Sequence, residues 1–244
     1  MKRFLNTRTL LLFAILLFLG PISVFAEGGL AAVLDWFLGI LIAIPGVIVA
    51  LAFHEFAHAW VAYKCGDPTP KVLGRVTLDP TAHVDLLGIL MLIFCGFGWG
   101  KPVVINPSNF KKKRRDSIMV GLAGVTMNLI VAVVFGGILK GLLTAMPALL
   151  TTEFGITVFT VFYYVVQINA VLMLFNLLPV PPLDGFGVIS DIFNLQGTKL
   201  YNFVYRNGLL ILLVLVIFNV PAKVISLPSA KIVNFIVRNI WHVF

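Results

Sequence analysis

The chain has 244 residues, of which 60% are hydrophobic and only 11% charged, with a mean hydropathy of +1.04. So little charge cannot cover a soluble domain, and the class this composition allows is a multi-pass helical membrane protein built as one compact domain in the lipid bilayer. The net charge of +8 does not indicate nucleic acid as a partner, because the basic residues cluster beside apolar runs, as they do in the cytoplasmic loops of membrane proteins.

At the N-terminus Lys2, Arg3 and Arg8 precede an apolar run at residues 10–19, followed by Gly20-Pro21 and then Val24-Phe25-Ala26. Residues 1–26 are either a signal-peptide-like segment or a first membrane helix, and both readings leave residue 30 outside the cytoplasm. Residues 30–63 form a long apolar segment with a predicted kink at Pro45-Gly46. It ends in the turn signal Lys64-Cys65-Gly66-Asp67-Pro68. The loops from residue 64 to 115 carry Lys64, Lys71, Arg75, Lys101 and the run Lys111-Lys112-Lys113-Arg114-Arg115, which places them in the cytoplasm with the basic run as a solvated anchor.

Within that stretch residues 72–78 and 102–105 read as short strands. Residues 86–100 are apolar but short, which suits a re-entrant or interfacial segment. Residues 117–143 span outward, 151–153 turn, and 156–178 return. Residues 176–187 are broken by prolines, and 201–220 span again. Residues 221–244 are either a poor further span or an amphipathic helix lying on the membrane. The expected fold is all-α, with about five to six membrane segments and a small cytoplasmic-side β element. Residues 27–194 form the core, and residues 195–244 supply C-terminal membrane or interfacial helices. Cys65 and Cys95 form no CxxC pair, so no disulfide framework is expected.

One motif interrupts the apolar pattern. His54-Glu55-Phe56-Ala57-His58 lies between uncharged runs. Residues four apart share a helix face, so His54 and His58 can direct imidazole nitrogens at one metal ion. Glu55 lies beside that ion, where a general base takes a proton from water. Ionisable groups inside a membrane helix are costly and mark function by default. Catalytic zinc takes three protein ligands, so a third is needed. The remaining histidines are His83 and His242, and the carboxylates on the same side are Asp67, Asp79, Asp85, Asp116, Asp184 and Asp191. Asp184 stands out. It follows an inward span within Asn176-Leu-Leu-Pro179-Val-Pro181-Pro182-Leu183-Asp184-Gly185, where prolines prevent a regular helix and Gly185 permits a turn.

HEFAH in one span, followed far downstream by NLLPVPPLDG, resembles the site-2 protease family of intramembrane zinc metalloproteases, over roughly residues 33–191. The resemblance implies one zinc ion per chain held by His54, His58 and Asp184, with Glu55 as catalytic base. It also implies cleavage of peptide bonds within or near transmembrane segments of other membrane proteins, and an active site toward the cytoplasmic side. The stretches Thr77 to His83 and Gly98 to Pro107 resemble the family's loop, with Asp79 and Leu86 departing from its pattern. The family's Gly-Pro-x-x-Asn appears here as Gly124-Val-Thr-Met-Asn128, without the proline. Asn128 either donates to the oxyanion or bonds between helices. Asn176 either orients Asp184 or caps its span, His83 reads as a polar loop residue, and Asp191 lies on a helix face. A helical substrate must unwind before cleavage, and the 72–78 strand is expected to pair with it. A metal transporter or sensor, or a pseudoprotease, would use the same ligands, but Glu55 then has no dedicated role.

Overall fold

The computed structural model describes residues 7–95 and 98–240. The first six residues of the signal-like segment and His242 therefore lie outside the described residues. Helix α1 (Thr7–Cys65) runs through both Pro21 and Pro45, and its backbone leaves helical dihedrals at Gly29, with φ 68° and ψ −159°. The break thus falls on the residue without a Cβ, which adopts this conformation without steric cost. Gly46, beside Pro45, serves a different purpose. A Cβ there would lie 2.9 Å from Ile168 Cδ1 and 3.1 Å from the Tyr164 carbonyl, so it lets two helix backbones approach closely.

After α1, Pro68 and Pro70 start a single turn, α2 (Thr69–Val72), and Gly74 with φ 67° reverses the chain. The strand expected at residues 72–78 does not form. The Asp67 carboxylate accepts the Thr69 N–H and hydroxyl, which fixes a turn where the apolar pattern suggested extension. Residues 102–105 have no neighbouring strand. Among the described residues the only β pairing is an isolated antiparallel bridge between Val84 and Gly100. The expected β element is therefore replaced by a loop whose backbone is held by side chains. Helix α3 (Leu86–Cys95) has ten residues, about 15 Å of rise, and is too short to cross a core of about 30 Å.

The remaining helices are α4 (Lys113–Ala145), α5 (Glu153–Asn176), α6 (Asp184–Ile192), α7 (Lys199–Ile217) and α8 (Val220–Phe235), which continues into a π-helical turn at Ile236–Ile240. Five helices among the described residues are long and apolar enough to cross a membrane: Val24–Cys65 of α1, α4, α5, α7, and Val220–Arg238. The chain is thus an all-helical multi-pass membrane protein. The C-terminal segment joins the bundle, with Ile225, Ser229, Val233 and Ile236 buried.

In lipid there is no hydrophobic force between helices, so close packing of small residues must hold them together. Helices α1, α4 and α5 meet through the buried Ala50, Ala57, Ala62, Ala123, Gly124, Ala132 and Ala170. Leu30, Leu34, Leu38 and Leu41 of α1 fall on one face and are exposed, as a lipid-facing stripe requires. Helix α7 exposes Leu209, Leu210, Leu213 and Ile217. It docks through Gly208, where a Cβ would lie 2.5 Å from Pro181.

Replacing Gly46 with leucine should push α1 off the Tyr164 backbone and cost about 1–3 kcal/mol. Gly141→Ala, in open space on α4, should leave stability unchanged or slightly raised. Thermal midpoints in detergent check both.

Candidate metal centre

Three elements bring the site together. His54 and His58 lie one turn apart on α1, and Asp184 starts α6. The segment between α5 and α6 cannot continue as a helix through Pro179, Pro181 and Pro182, and the Pro181–Pro182 peptide is cis. Gly185 is needed for space rather than for an unusual dihedral. A Cβ there would lie 2.3 Å from the Leu177 carbonyl oxygen. Helix α6 is also tied down at its far end. Arg114 donates from Nε to the Asp191 carbonyl at 2.7 Å and from Nη2 to that of Ile192, placing a cation on the C-terminal carbonyls.

The donor atoms converge. His54 Nε2 and His58 Nε2 are 3.1 Å apart, and Asp184 Oδ2 lies 3.3 Å from the first and 3.2 Å from the second. The three residues form the one group of this kind among those described that could hold a metal ion. A tetrahedral ion with bonds of about 2.0–2.1 Å separates its ligands by about 3.3–3.4 Å, so the spacing fits zinc. Asp184 Oδ2 is buried and has no hydrogen-bond donor of its own. Space for the cluster is supplied by Gly124 on α4. A Cβ at that position would lie 2.4 Å from His54 Cε1 and 2.4 Å from His58 Nε2.

Hydrogen bonds behind the ligands set the tautomers. His58 Nδ1 lies 2.8 Å from the Val120 carbonyl, which can only accept, so Nδ1 carries the proton and Nε2 a lone pair. His54 Nδ1 lies 2.7 Å from Asn128 Oδ1. The Asn128 amide is itself oriented, since Nδ2 donates to the Ala50 carbonyl at 3.1 Å and to Asn169 Oδ1 at 2.9 Å. Asn169 in turn donates to the Val165 carbonyl at 2.8 Å. The relay runs from a backbone carbonyl on α5, through two fully buried amides, to His54 on α1. It leaves Nε2 of His54 as a metal-facing lone pair.

Among the residues expected from sequence, His54, His58 and Asp184 come together. Asn128 lies behind His54 rather than facing a substrate. Both its amide hydrogens are engaged and it is fully buried, so the oxyanion role finds no free donor in this arrangement. Asn176 donates to the Leu172 carbonyl of its own helix at 3.1 Å, with no bond to Asp184. His83 is fully buried and contacts the Thr77 carbonyl at 2.8 Å through Nε2, so it is a core loop residue rather than a solvated one. Asp191 accepts from Gln196 at 2.6 Å. Glu55, partly buried, accepts the Val103 N–H at Oε2, 3.0 Å away. That leaves Oε1 without a protein donor among the described residues. Sequence reading placed Gly124 in a motif without the role of making room for the imidazoles, and it missed Asn169, which only its being a polar residue in the apolar α5 could have signalled.

A His–His–Asp donor set inside a bundle of membrane-length helices defines a candidate metal-binding membrane protein. Residues 42–218 match the model of peptidase family M50, the site-2 protease family. YwhC of Bacillus subtilis is 43% identical over 60% of this chain and 66% of its own length. Rip2 of Mycolicibacterium smegmatis is 31% identical over 82% of this chain and 79% of its own. Rip2 of Mycobacterium tuberculosis is 32% identical over 71% and 69%. All three carry names describing them as candidate zinc metalloproteases. The chain spans just under two thirds of YwhC. No solved structure matches it significantly. The chain belongs to peptidase family M50.

Gly124→Ala should abolish zinc occupancy in purified protein while the helical content by circular dichroism is retained. Asn169→Leu, which removes the acceptor for Asn128, should weaken zinc affinity about 10–100-fold in a competition titration.

Proposed function

We propose that this chain cleaves peptide bonds within or near transmembrane segments of membrane protein substrates, at a centre formed by His54, His58, Asp184 and Glu55. The observation that carries the reading is the mutual spacing of the three donor atoms beside the Glu55 carboxylate, whose Oε1 has no protein donor among the described residues. His54, His58 and Asp184 would hold the zinc, which would supply Lewis-acid polarisation of a carbonyl and make water easier to deprotonate. Glu55 takes the proton on Oε1 and delivers it to the leaving amine. The N–H of Val103 keeps the other carboxylate oxygen in place. Asn128 acts as a positioning residue for His54, holding its tautomer and ring plane.

The substrate must present an extended backbone, because a helical peptide bond is internally hydrogen-bonded and sterically hidden. Residues that destabilise helices, such as Pro or Gly near the scissile bond, therefore favour cleavage. The pairing edge belongs to residues 101–106 rather than 72–78. This segment belongs to no helix or turn, bonds Glu55 through the Val103 N–H, and exposes Val104. The basic loops from Lys64 to Arg115 support a cytoplasmic placement of this face.

Glu55→Gln in the purified chain should retain zinc and lose cleavage of tagged membrane-helix substrates by at least about 100-fold. Zinc content and cleavage measured together decide the point. Substantial cleavage by the variant would contradict the assignment.

A further inference from the structure

Residues 101–106 reach Glu55 without belonging to a sheet. A segment outside any sheet or helix has no ladder to hold its geometry, so its restraint must come from elsewhere. Two buried charged side chains that play no part in the proposed chemistry provide it. At the start of the segment, Arg75 donates to the carbonyls of Lys101 at 3.2 Å and Pro102 at 3.4 Å, and also to that of Ala82. At its end, Asp67 accepts the Asn106 N–H at 2.7 Å and Asn109 Nδ2 at 2.7 Å. The Thr69 N–H and hydroxyl complete the Asp67 shell at 3.1 and 2.6 Å. Asp67 is fully buried and Arg75 nearly so.

Asp67 can act there because Gly66, with φ +112°, turns the chain sharply as α1 ends. A Cβ at Gly66 would also lie 3.1 Å from the Asn109 carbonyl. One anchor of the loop that touches Glu55 thus stands just beyond the end of the helix that carries Glu55. Burial pushes the Asp67 carboxyl up, but the donors from Thr69, Asn106 and Asn109 outweigh it and hold the group below the usual carboxylate range. It therefore stays charged at neutral pH, which strengthens each bond it accepts.

We infer that Asp67 and Arg75 are positioning residues, a two-ended clamp that holds residues 101–106 against α1 so that the Val103 N–H fixes Glu55 Oε2 and leaves Oε1 to carry the proton. The inference deepens the proposed function and rests on Glu55 as the base. Neither residue touches the ligand atoms, so the clamp acts on the geometry of the base and not on metal binding.

The test uses the full chain, zinc-loaded in detergent, as wild type, Asp67→Asn, Val103→Pro and the double variant. Hydrogen–deuterium exchange, zinc content, kcat and KM are measured for each. Asp67→Asn sets an amide N–H against the Asn106 N–H. Val103→Pro removes the N–H that bonds Glu55. In Asp67→Asn, exchange within residues 103–106 should rise about ten-fold or more, with zinc content unchanged. In the same variant kcat should fall about ten-fold with KM within about two-fold, and the double variant should be no worse than the weaker single. Unchanged exchange in this segment would overturn the inference. Exchange rising through the whole bundle with loss of zinc would also overturn it, as would losses in kcat that multiply in the double variant. A wild-type chain that binds zinc but cuts no substrate would count against the protease reading instead, and the exchange at residues 103–106 would then decide the clamp by itself.

Discussion

Two imidazole nitrogens and a carboxylate oxygen lie within 3.3 Å of one another inside an apolar bundle. Lone pairs so placed repel unless a positive charge lies among them, and the low dielectric of the surroundings magnifies the effect. Most of the architecture serves to impose that arrangement. The Val120 carbonyl and the Asn169–Asn128 relay take the Nδ1 protons, which obliges each Nε2 to face inward with a lone pair. Gly124 leaves the volume that the imidazoles occupy, and Gly185 lets the Asp184 backbone approach the end of α5. Arg114 fixes the other end of the helix that Asp184 begins.

The same constraint explains why the relay is made of asparagines. A buried amide in a membrane must satisfy both its donors and its acceptor, and Asn128 on α4 does so with partners on two other helices, α1 and α5. The relay thus ties α1, α4 and α5 together at the depth where the metal ligands lie. Packing and chemistry share these residues, so the core cannot loosen without misplacing His54.

Much of this was legible in the sequence. Apolar runs marked the membrane helices, and HEFAH interrupted one of them at helical spacing. The prolines before Asp184 showed where the backbone had to break. What stayed hidden depended on tertiary neighbours. Residues 72–78 have the composition of a strand, but Asp67 and Gly74 turn them locally, and periodicity does not record such side-chain-to-backbone bonds. Asn128 was visible as a polar residue in a span, yet which way its amide points depends on the Ala50 carbonyl, 78 residues away in sequence. Gly124 and Gly46 look alike in a membrane helix. Only the structure shows that one faces imidazoles and the other a backbone. Helix α1 continues through the Pro45-Gly46 pair and leaves helical dihedrals at Gly29, a break that the sequence reading did not anticipate.

The central claim is the ligand set, and X-ray absorption at the zinc edge of the purified chain tests it most directly. The account predicts light-atom ligands only, at about 2.0–2.1 Å, with the scattering of two imidazoles. A shell at about 2.3 Å, the distance of a zinc–sulfur bond, would contradict it, as would scattering from fewer than two imidazoles.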